Sequence, residues 1–168
     1  MNSNQIPDFK NFQFQQATNS HISQIKQLIF GVLREYGLTA DETAGPDVDL
    51  NDIEVNYPIG SRNFFWIVQN SENELVGTMA LAELNEKECE LRKMFLSKSV
   101  RGKGLGKFMV GQSISVARKL NYSTILLETD CVLKEAMNLY RNFGFESYEN
   151  PHICTRCDTA MKLELVVE

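Results

Sequence analysis

Phe12 and Phe14 alternate with Gln13 and Gln15, the period of a half-covered strand, and predict a first strand from about Asn11 to Ala17. The period then lengthens. Ile22, Ile25, Ile29, Val32, Leu33 and Tyr36 recur every three or four residues, which predicts a helix opened by Asn19 or Ser20 and stopped by Gly37. From Leu38 to Ser61 the chain is polar and acidic, with Pro46 and Pro58, and predicts one short helix near Leu50 to Val55. An excursion of that length serves more often as a functional lid than as filler.

Asn63 to Gln69 reads as a buried strand, and Leu75 to Leu84 and Cys89 to Leu96 follow it across two short polar turns, so these strands should meander antiparallel. Past a glycine-rich stretch, Leu105, Met109, Val116 and Leu120 mark one face of a third helix, with Val110, Ile114 and Ala117 on a neighbouring face. So broad an apolar surface suits a helix pressed on a sheet. Thr124 to Glu128 is a short continuous apolar run, the mark of a strand covered on both faces, so strand, helix and strand form a parallel crossover. Val132, Ala136, Leu139, Tyr140 and Phe143 predict a fourth helix closed by Gly144. Phe145 to Tyr148 and Ala160 to Val167 complete the strands, the last with Met161, Leu163, Leu165 and Val167 turned to the core. The order β-α-α-β-β-β-α-β-α-β-β is an α+β pattern. At 168 residues without repeat or linker, one domain is expected, with residues 1–10 as a flexible tail.

Composition narrows the function. A net charge of -5 argues against general nucleic-acid binding. The N-terminus has no signal-peptide pattern and no run is apolar enough to span a membrane, which predicts a cytoplasmic protein. Cys154-x-x-Cys157 with nearby His152 could form a redox pair or part of a metal site, but no second pair completes a zinc set, so no metal is expected. One island is basic. Arg92, Lys93, Lys98, Arg101, Lys103 and Lys107 fall between Leu91 and Lys107 without an acidic residue, which suits a small anionic ligand or a plain solvated face.

That island holds Val100 to Val110, VRGKGLGKFMV. Glycines let backbone N–H groups converge on an anion, and a helix starting there adds its positive end. A Walker loop fails, because Phe108 stands where Ser or Thr must follow Gly106-Lys107 and Arg101 where the first glycine belongs. The dinucleotide fingerprint fails at Lys107, where it needs glycine. What remains is Arg101-x-x-Gly104-x-Gly106, which resembles the acetyl-coenzyme A pyrophosphate loop of the GCN5-related N-acetyltransferases. Ala136-x-x-Leu139-Tyr140-x-x-x-Gly144-Phe145 resembles the second signature of the same family, in the correct order after the loop.

The resemblance implies an α/β three-layer fold: a mixed, mostly antiparallel seven-stranded sheet flanked by four helices. It implies acetyl transfer from acetyl-CoA, a co-substrate, to a primary amine of a small molecule or peptide by direct attack in a ternary complex. The edge at Met94, Phe95 and Leu96 would pair with the pantetheine. Arg101, Gly102, Lys103, Gly104, Leu105, Gly106 and Lys107 would hold the pyrophosphate, chiefly through backbone N–H groups. Glu90, 11 residues before Arg101, has the spacing of a catalytic glutamate in some protein acetyltransferases of the family, although a glutamate balancing Arg92 explains it equally well. Glu83 and Glu128 are fallback bases. Tyr140 matches the family tyrosine near the thiol sulfur and can act as acid, with a packed core tyrosine as the competing reading. Where many members carry a cofactor-contacting asparagine, this chain has Leu133. The acidic segment could favour a cationic amine or be a solvated loop. A homodimer is allowed, and an acyl-CoA sensor without catalysis and a protein lysine or N-terminal acetyltransferase remain as alternatives.

Overall fold

A computed structural model describes residues 9–38, 48–153 and 157–165. In chain order it contains β1 (Gln13–Gln16), α1 (Ile22–Glu35), α2 (Ile53–Asn56), β2 (Phe64–Gln69), β3 (Leu75–Glu83), β4 (Glu88–Leu96), α3 (Leu105–Lys119), β5 (Thr124–Thr129), α4 (Lys134–Asn142), β6 (Glu146–Tyr148) and β7 (Thr159–Glu164). The seven strands lie in the order β1-β2-β3-β4-β5-β7-β6. Every pairing is antiparallel except β4 with β5, where α3 supplies the crossover. Among the described residues no helix is long and apolar enough to cross a membrane.

The period-two alternation of the strands divides the core into two layers. On one face Met79, Leu81, Cys89, Leu91, Ile125 and Leu127 pack under Leu105, Met109, Val110 and Ile114 of α3. On the other, Phe65, Ile67 and Ala80 pack under Ile25, Ile29 and Leu33 of α1, with Leu50 and Ile53 completing the layer. The residue that bars a Walker loop has a packing reason. Phe108 on the first turns of α3 packs at a tilt against Phe9 and Phe14, at centroid distances of 4.9 and 5.2 Å, and the Phe14 contact anchors the start of the helix to β1.

Three details differ from expectation. The helix entrance is a 3-10 turn over Asn19–His21 behind Thr18, whose N–H donates to His21 Nδ1 at 3.1 Å. Asn19 serves α2 instead: its Oδ1 accepts from Ile53 N at 2.8 Å and Glu54 N at 3.2 Å. The polar residue expected to cap one helix thus fastens the acidic segment onto another. Val132 is exposed because α4 begins only at Lys134, so it never joins the apolar stripe. Val167 lies outside the described residues.

Candidate active site

The site starts from a break in the sheet. β4 pairs with β5 only from Glu88↔Thr124 to Glu90↔Leu126, while β4 runs on to Leu96 and β5 to Thr129. Beyond Glu90 the two strands part, and a cleft opens between them, lined by Glu90, Arg92, Met94 and Phe95 on one side and Glu128 and Tyr140 on the other. Leu33 of α1 and Leu38, just past the end of that helix, also line it.

A β-bulge decides which side chains enter. Ala80 pairs with Arg92 and Thr78 with Phe95, so Met79 alone faces both Lys93 and Met94. Lys93 takes the left-handed conformation, φ 53°, and its carbonyl accepts from the buried Thr78 hydroxyl at 2.7 Å. Before the bulge, Glu90 and Arg92 stand opposite Ala82 and Ala80 on the α1 face. After it the parity is reversed: Met94 and Leu96 pack under α3, and Phe95 under α1. The extra residue also keeps the Lys93 ammonium out of the apolar layer below α3.

Lys93 instead meets Asp49, Nζ to Oδ1 3.1 Å, with both side chains buried. The Tyr57 hydroxyl donates to Asp49 Oδ2 at 2.5 Å, and burial, reinforced by the Asp49 charge, pushes the phenol far above its usual pKa. Arg92 Nη1 lies 3.9 Å from Asp49 Oδ2, and Arg92 Nε lies 3.2 Å from Glu90 Oε2. Burial raises the Glu90 pKa against the opposing pull of Arg92, and the nearby Glu128 charge raises it further. Glu128 is steadied by Asn150 Nδ2 at 2.8 Å. Tyr140 packs against Phe145 at 5.8 Å, and burial alone holds its phenol protonated well above the ordinary range.

The glycine loop lies past the end of β4. Gly102 and Gly104 have φ 73° and 85°, and Gly104 is the N-cap of α3. The first bond of the helix runs from Phe108 N to Gly104 O at 3.0 Å, so the amides of Gly104, Leu105, Gly106 and Lys107 have no carbonyl partner among the described residues. Four amides at a helix start suit a pyrophosphate. The side chains around them are otherwise engaged: Lys103 Nζ donates to Ser99 O at 2.8 Å, while Arg101 reaches Leu96 O at 2.8 Å and Glu35 Oε2 at 2.7 Å. Leu105 is core and Lys107 is exposed. Gly106 answers a packing need, since a Cβ there would stand 3.3 Å from Leu139 Cδ2 and 3.4 Å from Leu96 Cδ1.

The cleft thus collects Glu90, Met94, Phe95 and Tyr140, with Glu128 beside them, while Leu96 and the loop border it without lining it. Glu83 is excluded as a base. It pairs opposite Cys89, on the face away from Glu90, and is bound to Arg62 at 2.5 Å. Leu133 lines the cleft at the N-cap of α4. Within the acidic segment Asp49 is neutralised in the interior and Asp52 caps α2 through Val55 N at 3.1 Å. Asp41, Glu42 and Asp47 lie outside the described residues. Cys157 is disulfide-bonded, and Cys154 lies outside the described residues. The Asp49–Lys93 pair was invisible in the sequence, because a bulge carries no spacing signal and the partners are 44 positions apart.

Comparison with known proteins accounts for this arrangement. A model of the acetyltransferase (GNAT) family matches residues 32–145. The chain belongs to that family. The uncharacterized N-acetyltransferase YjgM of Escherichia coli K12 is 36% identical over 149 residues, which are 84% of this chain and 87% of that protein. Human N-acetyltransferase 8B is 31% identical over 103 residues, 58% of this chain, and the match spans only 45% of the human protein. The crystal structure of a GNAT acetyltransferase from Staphylococcus aureus Mu50 superposes with a TM-score of 0.84 at 24% identity, covering 92% of this chain and 99% of that one. This GNAT chain is an acetyl-CoA-dependent N-acetyltransferase, and its sheet of seven strands flanked by four helices is the family fold.

Proposed function

We propose that the amine attacks directly, in a ternary complex assembled at the cleft between β4 and β5. The observation that carries this reading is the parting of the strands after Glu90↔Leu126, which leaves the Met94 to Leu96 edge without a β5 partner. When bound, acetyl-CoA supplies an activated acyl carbon. The edge of β4 pairs with its pantetheine arm, a backbone N–H at Met94, Phe95 or Leu96 polarises the carbonyl, and the amides of Gly104 to Lys107 take the pyrophosphate.

Glu90 is the base. Its raised pKa makes it a better proton acceptor than an exposed carboxylate, and it faces the cleft on the acceptor side of the bulge. Tyr140, kept protonated by burial, gives its proton to the leaving sulfur. An ammonium nitrogen must shed two protons to become an amide. One passes to Glu90, and the second, released as the N–C bond forms, restores Tyr140 through solvent.

The test is release of free coenzyme A thiol across a panel of primary amines, alongside native mass spectrometry for retained acetyl-CoA. Turnover with some amine is expected, and its loss in Glu90→Gln and Tyr140→Phe with acetyl-CoA still bound assigns the two roles. Acetyl-CoA binding with no turnover of any amine makes the protein an acyl-CoA sensor instead.

A further inference from the structure

Resting on that reading, the charges in the cleft narrow the acceptor. Lys93 is committed to Asp49 at 3.1 Å in the interior. Glu128 accepts from Asn150, and Asp130 Oδ1 accepts from Val132 N at 2.9 Å. Among the described residues that line the cleft, Glu90, Glu128 and Asp130 are acidic, and Arg92 is the basic group beside Glu90, Nε to Oε2 at 3.2 Å. Arg92 is a third exposed, and among the described residues the one further contact of its guanidinium is a long 3.9 Å approach to Asp49. Its terminal amino groups therefore keep most of their donors for a ligand, and a guanidinium fork matches a carboxylate. The two side chains project from one strand face two residues apart, anion and cation side by side. Such a pair is complementary to a zwitterion.

We propose that the acceptor is an α-amino acid, or another amine with a carboxylate close to its nitrogen: Arg92 grips the carboxylate while Glu90 faces the ammonium. The bound zwitterion exchanges the internal Glu90–Arg92 contact for two contacts of its own. Arg92 is thus a specificity-determining residue, and a plain polyamine lacks the group it recognises.

The experiment compares amino acids with their α-amides over several side chains, each titrated calorimetrically into the coenzyme A-loaded protein and each assayed with acetyl-CoA. The free acids should bind and turn over at least about tenfold better than their amides, the scale of a charge-assisted bond. In Arg92→Met that ratio should fall to about one, and Arg92→Lys should recover part of it. Native mass spectrometry of acetyl-CoA binding verifies that each variant is folded. Amides or simple amines bound as well as the acids by the wild type, or an acid-to-amide ratio unchanged in both variants, overturns the proposal. Acids that bind tightly through Arg92 but are never acetylated uphold the carboxylate subsite and count against acetyl transfer. Efficient acetylation of amines without preference for acids does the reverse.

Discussion

The Lys93–Asp49 pair is the strongest wager on how the site is built, and Lys93→Met tests it. The lysine and aspartate side chains are only 5% and 10% exposed. Removing the ammonium leaves the carboxylate buried with the Tyr57 hydroxyl and an arginine at 3.9 Å. Breaking a buried pair from one side costs about 3–5 kcal/mol, because the remaining charge keeps its desolvation penalty. For a domain of this size, roughly 2–4 °C per kcal/mol gives a drop in Tm of about 6–20 °C. Urea unfolding followed by the fluorescence of Trp66, the only tryptophan, supplies the free energy. Asp49→Asn closes a double-mutant cycle, with an expected coupling of about 1–3 kcal/mol. A loss below about 1 kcal/mol in Lys93→Met, or a cycle without coupling, would refute the reasoning, since typical surface substitutions already reach half that value.

Three further outcomes follow from the same geometry. Glu90→Gln and Tyr140→Phe should each lower kcat by about 10²–10⁴ while acetyl-CoA still binds; wild-type turnover in either removes that residue from the mechanism. Because burial raises the Glu90 pKa and a base must be ionised, kcat/KM should fall as pH drops through a value above the ordinary glutamate range. A pH–rate profile whose acid limb lies within the ordinary range, or persists in Glu90→Gln, contradicts this assignment. Gly104→Val should cost about 1–2 kcal/mol of stability from its φ of 85° and sharply raise KM for acetyl-CoA, whereas Lys103→Ala, losing one exposed bond to Ser99 O, should change KM little; equal effects on KM would mean that side-chain charge and not the backbone holds the phosphates.

How legible the chain was depends on whether the controlling interaction is local. The strands from Phe64 to Leu96 declare themselves by alternation and short turns, and α3 by its broad apolar surface, so both agree with the sequence to within a residue or two. Gly104 and Gly144 also sit where their helices begin and end, each with positive φ, because a helix terminus imposes a local backbone demand. Tertiary partners were not readable. Asn19 has the composition of a cap for α1, yet it caps α2 across 34 positions. Glu90 leads on spacing and Glu83 stands behind it as a fallback base, and only the register Glu83↔Cys89 shows that Glu83 lies on the other face. Asp49 reads as one more charge in an acidic loop until Lys93 and Tyr57 are seen around it.

The basic island shows what the extra residue at Lys93 achieves. In sequence the six cations form one patch suited to one anion, but in the fold they divide among separate tasks. Arg101 ties the loop to Glu35 of α1, and Lys103 closes the loop on its own backbone. Lys93 is consumed by Asp49. Arg92 remains on the acceptor face of the cleft. A regular strand could not produce this division: with strict alternation Lys93 would join Leu91 beneath α3, where an ammonium has no partner, and Met94 would occupy the face of Glu90 and Arg92. One left-handed residue turns Lys93 to the side that already holds Arg92 and returns Met94 and Leu96 to the layer under α3, beside Gly106. The phosphate loop is therefore left to bind through amides, and the cation that distinguishes one amine from another stands on the opposite face of the same strand.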